Sequence, residues 1–259
     1  MYRIAIANEK GGVAKTTTTV SLGAALAEAG HRVLVVDLDG QANLTLALGF
    51  DPNEQLISIG KVLLSGAPLP AAVQTTVCPR LDILSSNHEM ANAERFLPIQ
   101  KNYEFILRNA VQSLDNSYQY VLYDCPPFLG AATMNALVAA DMLLVPTQPE
   151  YFSIYALRNL MDWVRMIRSK YNPSLTYRLI MTMFDKRNKT HRVLAEQLAE
   201  NFQSGLFNTF IAMDTKLRES PIAGLPILMH ATKSRAAMQY RSLALEIEQH
   251  AQETTLQPA

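Results

Sequence analysis

The sequence predicts an α/β protein: a doubly wound, mostly parallel sheet flanked by helices. Three observations predict it. Short apolar runs alternate with helical stripes along the chain, the pattern of βαβ units covered on both faces. One of those runs, Val33-Leu-Val-Val-Asp37, is continuous rather than alternating, as expected of a strand buried on both sides. The composition supplies a sizeable core, with 49% hydrophobic and 18% charged residues among 259. No internal repeat or low-complexity linker divides the chain. Residues 1–259 are therefore read as a single domain, with a polar C-terminal tail from about residue 250.

In chain order, Tyr2–Ala7 is the first strand and is followed by a glycine loop. Thr16–Ala29 carries helix formers and an apolar stripe, and Gly30 marks its stop. Val33–Asp37 is the second strand. The segment Asp51–Pro79 is rich in Gly, Pro and Ser and is expected to form one helix and loops at the periphery. Further strands are expected at Leu81–Leu84, Tyr120–Tyr123, Met142–Val145, Tyr177–Met183 and Leu206–Ile211. Helices are expected at Ala131–Ala140, Ser153–Lys170, Arg192–Phe202 and Ser234–Gln249. The tail beyond Gln249 is expected to fray.

Charge and cysteine content exclude several classes. Lys+Arg and Asp+Glu both number 23, so the molecule is no general polycation. The charge is nevertheless segregated: Arg158–Arg241 holds 14 basic against 6 acidic residues. Cys78 and Cys125 are the only cysteines, which excludes a disulfide framework and fits a reducing cytoplasm. No apolar run approaches the roughly 18 residues that span a bilayer. The start of the chain is too soon interrupted by Glu9-Lys10 to act as a secretory signal.

Three motifs carry chemistry. Glu9-Lys-Gly-Gly-Val-Ala-Lys-Thr-Thr17 lies between a strand and a helix, the setting in which backbone N–H groups and a helix N-terminus cradle phosphate. Lys10, Gly11, Gly12, Val13, Ala14, Lys15, Thr16 and Thr17 are its candidate binding residues. Lys15 would reach β/γ-phosphates and the Thr16 hydroxyl would ligate Mg²⁺. The strict G-x-x-x-x-G-K-[ST] pattern fails at Glu9 and Ala14. Second, Asp37-Leu-Asp39 ends a buried strand in two carboxylates, which is costly unless metal or donors meet them. Third, Tyr120-Val-Leu-Tyr-Asp124-Cys-Pro-Pro127 is an apolar run ending in Asp124, a metal-binding strand end; Cys125 beside it is assigned to packing.

The loop resembles the deviant phosphate loop K-G-G-x-x-K-[ST] of the ParA/MinD superfamily of ATPases. Asp37–Asn43 resembles the family's D-x-D-P-Q-G-N segment, and D-C-P-P resembles ParA more closely than MinD. The resemblance continues through Asp141–Pro149, Tyr155-Ala-Leu, Thr182–Arg187, Lys216–Pro221, Gly224–Ile227 and Ala236–Leu245. It implies the P-loop fold, ATP and Mg²⁺ as cofactors, and slow ATP hydrolysis stimulated by a partner protein. Lys10, Lys15 and Asp39 are then the catalytic residues: Lys10 touches the partner subunit's nucleotide and Asp39 orients the attacking water. Thr16, Asp37 and Asp124 surround the metal. Gly40 stands for the usual Pro, and Ala14 and Ala42 for usual glycines; Ala14 is expected at a tolerated backbone angle.

The same resemblance implies an ATP-sandwich homodimer, nonspecific binding of double-stranded DNA, a ParB-like or adaptor partner, and a cytoplasmic, nucleoid-associated location without membrane attachment. Its cargo would be a plasmid, a chromosome or an organelle such as a carboxysome, and nothing in the sequence chooses among them. By position, Arg187 and Lys216 match DNA-contacting residues, with Lys186, Lys189, Arg218, Lys233 and Arg235, and further Arg192 and Arg241, as candidate additions. Two other readings are a membrane-positioning MinD-like ATPase, which the polar C-terminal stretch disfavours, and an ATP-dependent synthetase of the dethiobiotin synthetase kind, which would need neither Lys10 nor a basic face.

Overall fold

The computed structural model describes residues 1–114, 117–202 and 205–256. In chain order the elements are β1 (Tyr2–Ile6), α1 (Lys15–Glu28), β2 (Val33–Asp37), α2 (Asn43–Ala47), α3 (Ile59–Ser65), α4 (Leu69–Ala72), β3 (Val73–Thr75), β4 (Leu81–Leu84), α5 (Glu89–Phe96), α6 (Ile106–Val111) and β5 (Tyr120–Asp124). They continue with α7 (Ala131–Ala139), β6 (Met142–Thr147), α8 (Tyr151–Lys170), β7 (Thr176–Phe184), α9 (Lys189–Phe202), β8 (Leu206–Ala212), α10 (Lys216–Glu219), α11 (Ile227–His230) and α12 (Arg235–Leu256).

The strands form one eight-stranded sheet in the order β3-β4-β2-β5-β1-β6-β7-β8, parallel except for β3 against β4. The chain leaves β1 for β2 on one side, whereas β5 is followed by β6 on the other side of β1. That reversal opens a crevice at the carboxyl ends of β1, β2 and β5, where open α/β sheets bind ligands. Successive side chains leave a strand on opposite faces. Ile4 and Ile6 of β1 and Val33 and Val35 of β2 join one apolar layer, which includes α1 and α12. Ala5, Leu34 and Val36 join the other, with residues of α3 and α5 to α8. Burial on both faces is why β2 reads as an unbroken apolar run.

The expected fold class and the seven parallel strands match. Three local expectations are corrected. Asp51–Pro79 contains two helices, α3 and α4, and the start of an antiparallel hairpin strand, β3, rather than one helix. The stretch after Gln249 does not fray, because α12 continues to Leu256 with His250 and Ala251 buried against the sheet. Residues 257–259 of the expected tail lie outside the described residues. Helix α9 begins at Lys189, three residues before the expected Arg192.

Helix α1 sits tight on the sheet because Gly23 has no side chain. A Cβ there would stand 2.9 Å from Val35 Cγ1 and 3.2 Å from Leu81 Cδ1. Gly23→Val should therefore cost about 2–3 kcal/mol of stability by overpacking. A loss below about 0.5 kcal/mol in urea unfolding would show that the contact yields freely.

Candidate nucleotide and metal site

The glycine loop begins where β1 ends. Asn8, buried beneath it, donates to the Pro146 carbonyl (2.8 Å) and accepts from the Lys10 N–H (3.0 Å). Thr182 of β7 donates its hydroxyl to the Val13 carbonyl at 3.0 Å. The loop is thus tied to β6 and β7 before it turns into α1. Helix α1 has no side-chain cap and no acidic residue in its first turn. Its leading N–H groups and positive dipole end face a cavity of about 490 Å³ whose walls include Gly11, Gly12, Lys15, Thr16, Thr17 and Asp39. Such an end is a ready anion site.

Lys15 is buried, and burial holds its ammonium below the usual lysine value while Asp124 opposes the shift. Its Nζ donates to the Lys10 carbonyl at 3.2 Å, across the loop. Ala14 does not take the ordinary backbone angle expected of it. It sits at φ 68°, ψ 34°, in the left-handed region. Ala42, the other residue at a usual glycine position, is also left-handed, at φ 54°. Each adds about 1 kcal/mol of strain that glycine would not carry.

Asp37 and Asp124 end adjacent strands and are register partners. Both are fully buried or nearly so. Asp37 accepts from the Thr45 N–H (2.9 Å), the Thr45 hydroxyl (2.7 Å) and the Asp39 N–H (3.1 Å). Asp124 accepts from the hydroxyls of Thr16 (2.7 Å) and Thr19 (2.9 Å). Burial, then the Asp124 charge, pushes Asp37 up to about 7 against those donors. Burial likewise pushes Asp124 up to about 6, against the Thr16 and Thr19 hydroxyls and Lys15. Two buried, mutually repelling carboxylates beside a threonine hydroxyl suit a hard divalent cation, whose charge offsets both penalties. Among the described residues no cluster of three or more His, Cys, Asp and Glu side chains stands ready to hold a metal alone. The fit is therefore to a cation that shares its ligand shell with phosphate oxygens and water, as Mg²⁺ does. Thr16, Asp37 and Asp124 would hold it.

Asp39 is half-buried and lines the cavity, with one carboxylate oxygen accepting the Gln41 N–H at 2.9 Å. Lys10 points elsewhere in this single chain: its ammonium is paired with Glu150 and lies 3.4 Å from Gln148 Oε1. Sequence reasoning missed part of the pocket. Met183, at a left-handed φ of 53°, lines the cavity with Pro221 and Leu225. The signal for these residues was only that they sit inside stretches resembling the family. Cys125 is buried and its thiol is pushed well above the usual range by burial, in keeping with packing.

The seven basic candidates are all exposed. They lie on three segments near the β8 edge, and contacts draw the segments together. Lys186 stands 4.7 Å over the Phe210 ring of β8. Arg235 donates to the Met213 carbonyl, and the Ala236 N–H donates to Asp214. Arg187 pairs with Asp185 and Lys216 with Glu219 on the surface, contacts worth little in solution. The two further candidates also make contacts within the chain. Arg241 grips Glu28 and Thr232, joining α1 to α12, and Arg192 donates to the carbonyls of Lys186 and Arg187.

Two outcomes follow. Ala14→Gly relieves the left-handed strain but loosens the unfolded chain, so it should stabilise the protein by about 0.5–1 kcal/mol. Urea unfolding at or below wild-type stability would contradict the strained geometry. The raised carboxylates make the folded state bind more protons than the unfolded state between about pH 4 and 7. Their contribution to stability is thus present at low pH and is lost as pH rises through 6 to 7. The metal-free protein should lose more thermal stability between pH 4.5 and 7 than Asp124→Asn does; parallel melting curves would count against the pair.

Residues 1–177 match the family described as AAA domain. The sporulation initiation inhibitor protein Soj of Bacillus subtilis is 36% identical over 94% of this chain and 97% of its own. The chromosome partitioning protein ParA of Caulobacter vibrioides is 35% identical over 94% and 92%. The crystal structure of cobyrinic acid a,c-diamide synthase from Mycobacterium smegmatis, with bound ATP analog and magnesium, superposes with a TM-score of 0.86 at 33% identity, covering 97% of this chain and 96% of that one. On these matches the chain belongs to the ParA/Soj family of AAA-domain partition ATPases.

Proposed function

We propose that this protein binds ATP with Mg²⁺, forms an ATP-sandwich homodimer, binds double-stranded DNA without regard to sequence in that state, and hydrolyses ATP slowly until a ParB-like or adaptor partner accelerates it. The output is partition or positioning of a cargo: a plasmid, a chromosome or an organelle. The observation that carries the reading is the carboxyl end of the central strands, where a two-lysine glycine loop meets Asp37, Asp39 and Asp124.

In this reading Lys15 and the loop N–H groups hold the β- and γ-phosphates. The bound Mg²⁺ supplies neutralisation of phosphate charge. Asp39, at the mouth of the cavity, orients water toward the γ-phosphate, and its backbone is fixed by Asp37. Positioning and electrostatics carry phosphoryl transfer in such sites, and an arginine finger typically adds 10³–10⁵ in rate. None of the residues given a catalytic role here is an arginine, which fits slow turnover and a long-lived ATP state. Lys10 exchanges Glu150 for the second subunit's nucleotide as the dimer closes. The basic segments around Lys186, Arg187, Lys216, Arg218 and Arg235 supply phosphate contacts to DNA.

A second reading, ATP-dependent synthesis, is favoured by the likeness to the mycobacterial cobyrinic acid a,c-diamide synthase. It requires neither dimerisation through Lys10 nor DNA binding, so the same experiments separate the two. Light scattering with ATP and Mg²⁺ should give a dimer for wild type and a monomer for Lys10→Ala, with ATP binding kept within about tenfold, a cost near 1.4 kcal/mol. Equal dimerisation of the two would remove Lys10 from the interface. Arg187→Ala with Lys216→Ala should weaken ATP-dependent DNA binding and lower the log–log salt slope by about 1–2, leaving ATP binding unchanged. An unaltered slope would remove both from the footprint.

A further inference from the structure

Helix α7 is buried along its whole length, and its own N-cap, Gly130, offers no side chain to its first N–H groups. The cap comes from elsewhere. Glu94, in the last turn of α5, accepts the Ala131 N–H through Oε2 at 2.7 Å and the Ala132 N–H through Oε1 at 2.9 Å. The loop it fixes, residues 125–130, starts directly after Asp124. At its near end the Cys125 N–H bonds to the Ile6 carbonyl at 3.1 Å, and within it Pro127 lines the nucleotide cavity. The Thr133 hydroxyl closes the turn onto the Phe128 carbonyl at 2.7 Å. The fit leaves no slack: a Cβ on Gly130 would stand 2.4 Å from Glu94 Oε2.

The same helix touches the other catalytic loop. A Cβ on Gly40, next to Asp39, would lie 3.6 Å from Met90 Cβ and 3.7 Å from the Ala91 nitrogen, both in the first turn of α5. Helix α5 is itself anchored, with Met90 buried and Glu89 accepting the Ser58 hydroxyl at 2.6 Å. One short helix therefore rests its first turn on the Asp39 loop and, one turn later, clamps the loop that follows Asp124.

We propose that Glu94 is a positioning residue for ATP hydrolysis: through its paired bonds to Ala131 and Ala132 it holds the loop after Asp124 in register with the Asp39 loop. The proposal rests on the reading that this site hydrolyses ATP. The clamp acts on the hydrolytic geometry more than on nucleotide capture, because the Glu94 bonds go to Ala131 and Ala132 while Lys15 and the glycine loop are held by other partners. Its signature is a loss in kcat with little change in KM.

The test measures steady-state hydrolysis by wild type, Glu94→Ala and Glu94→Gln, with rates normalised to sites titrated by a fluorescent ATP analogue. Glu94→Ala should lower kcat at least fivefold with KM within threefold of wild type. Glu94→Gln, whose carboxamide keeps one acceptor, should fall between. A kcat reduced less than fivefold, or a loss carried by KM instead, overturns the proposal. Should Glu94→Ala fail to fold, Glu94→Gln decides alone, and a kcat within twofold of wild type overturns it. Absence of wild-type turnover would overturn the ATPase reading together with this one, whereas normal wild-type turnover with an unaffected Glu94→Ala overturns this one alone.

Discussion

Two carboxylates that cannot comfortably coexist organise this molecule. Asp37 and Asp124 end neighbouring parallel strands, shut away from water and level with each other. Threonine and backbone donors relieve them within the chain, and the Lys15 charge relieves Asp124. A buried anionic pair of this kind is a poor way to stabilise a fold. It makes sense as one half of a charge arrangement that a divalent cation and a phosphate chain complete. The uncapped end of α1 and the buried Lys15 are the other half, cationic where the strand ends are anionic.

Around that pair the structure spends strain and packing on loop shape. Ala14 and Ala42 both occupy left-handed backbone where glycine is easier, and so does Met183 in the cavity lining. The three positions flank the cavity or lead into it. Gly130 permits the close approach of Glu94. The sheet beneath is conventional and heavily buried, so these distortions are held by their surroundings. The consequence for function is a rigid floor, with Asp37 and Asp124 fixed, and a rim of short loops that carry Asp39, Pro127 and Lys10.

The fold was legible where burial leaves a one-dimensional trace. The β2 and β5 runs read as strands because both faces are covered, and the glycine loop and its two lysines read as a phosphate site because backbone chemistry demands small residues there. Strand β3 was not legible: three residues at a sheet edge, Val73–Thr75, give no periodicity. The continuation of α12 was missed because its last turns are polar in sequence yet lie on the sheet through His250 and Ala251. The partner of Lys10 was missed because Glu150 is distant in the chain, and no local pattern links the two. The same holds for Glu94, which caps a helix 37 residues further on. The backbone angle of Ala14 was misjudged because alanine conceals a requirement that glycine would have advertised.

The central claim is that the first lysine of the loop serves a second subunit. A crystal structure with a non-hydrolysable ATP analogue and Mg²⁺ tests it most directly. The account predicts a two-fold dimer with both nucleotides at the interface, Lys10 released from Glu150 and its ammonium on the opposing subunit's phosphates. A nucleotide-loaded single protomer in which Lys10 stays paired with Glu150 would contradict it.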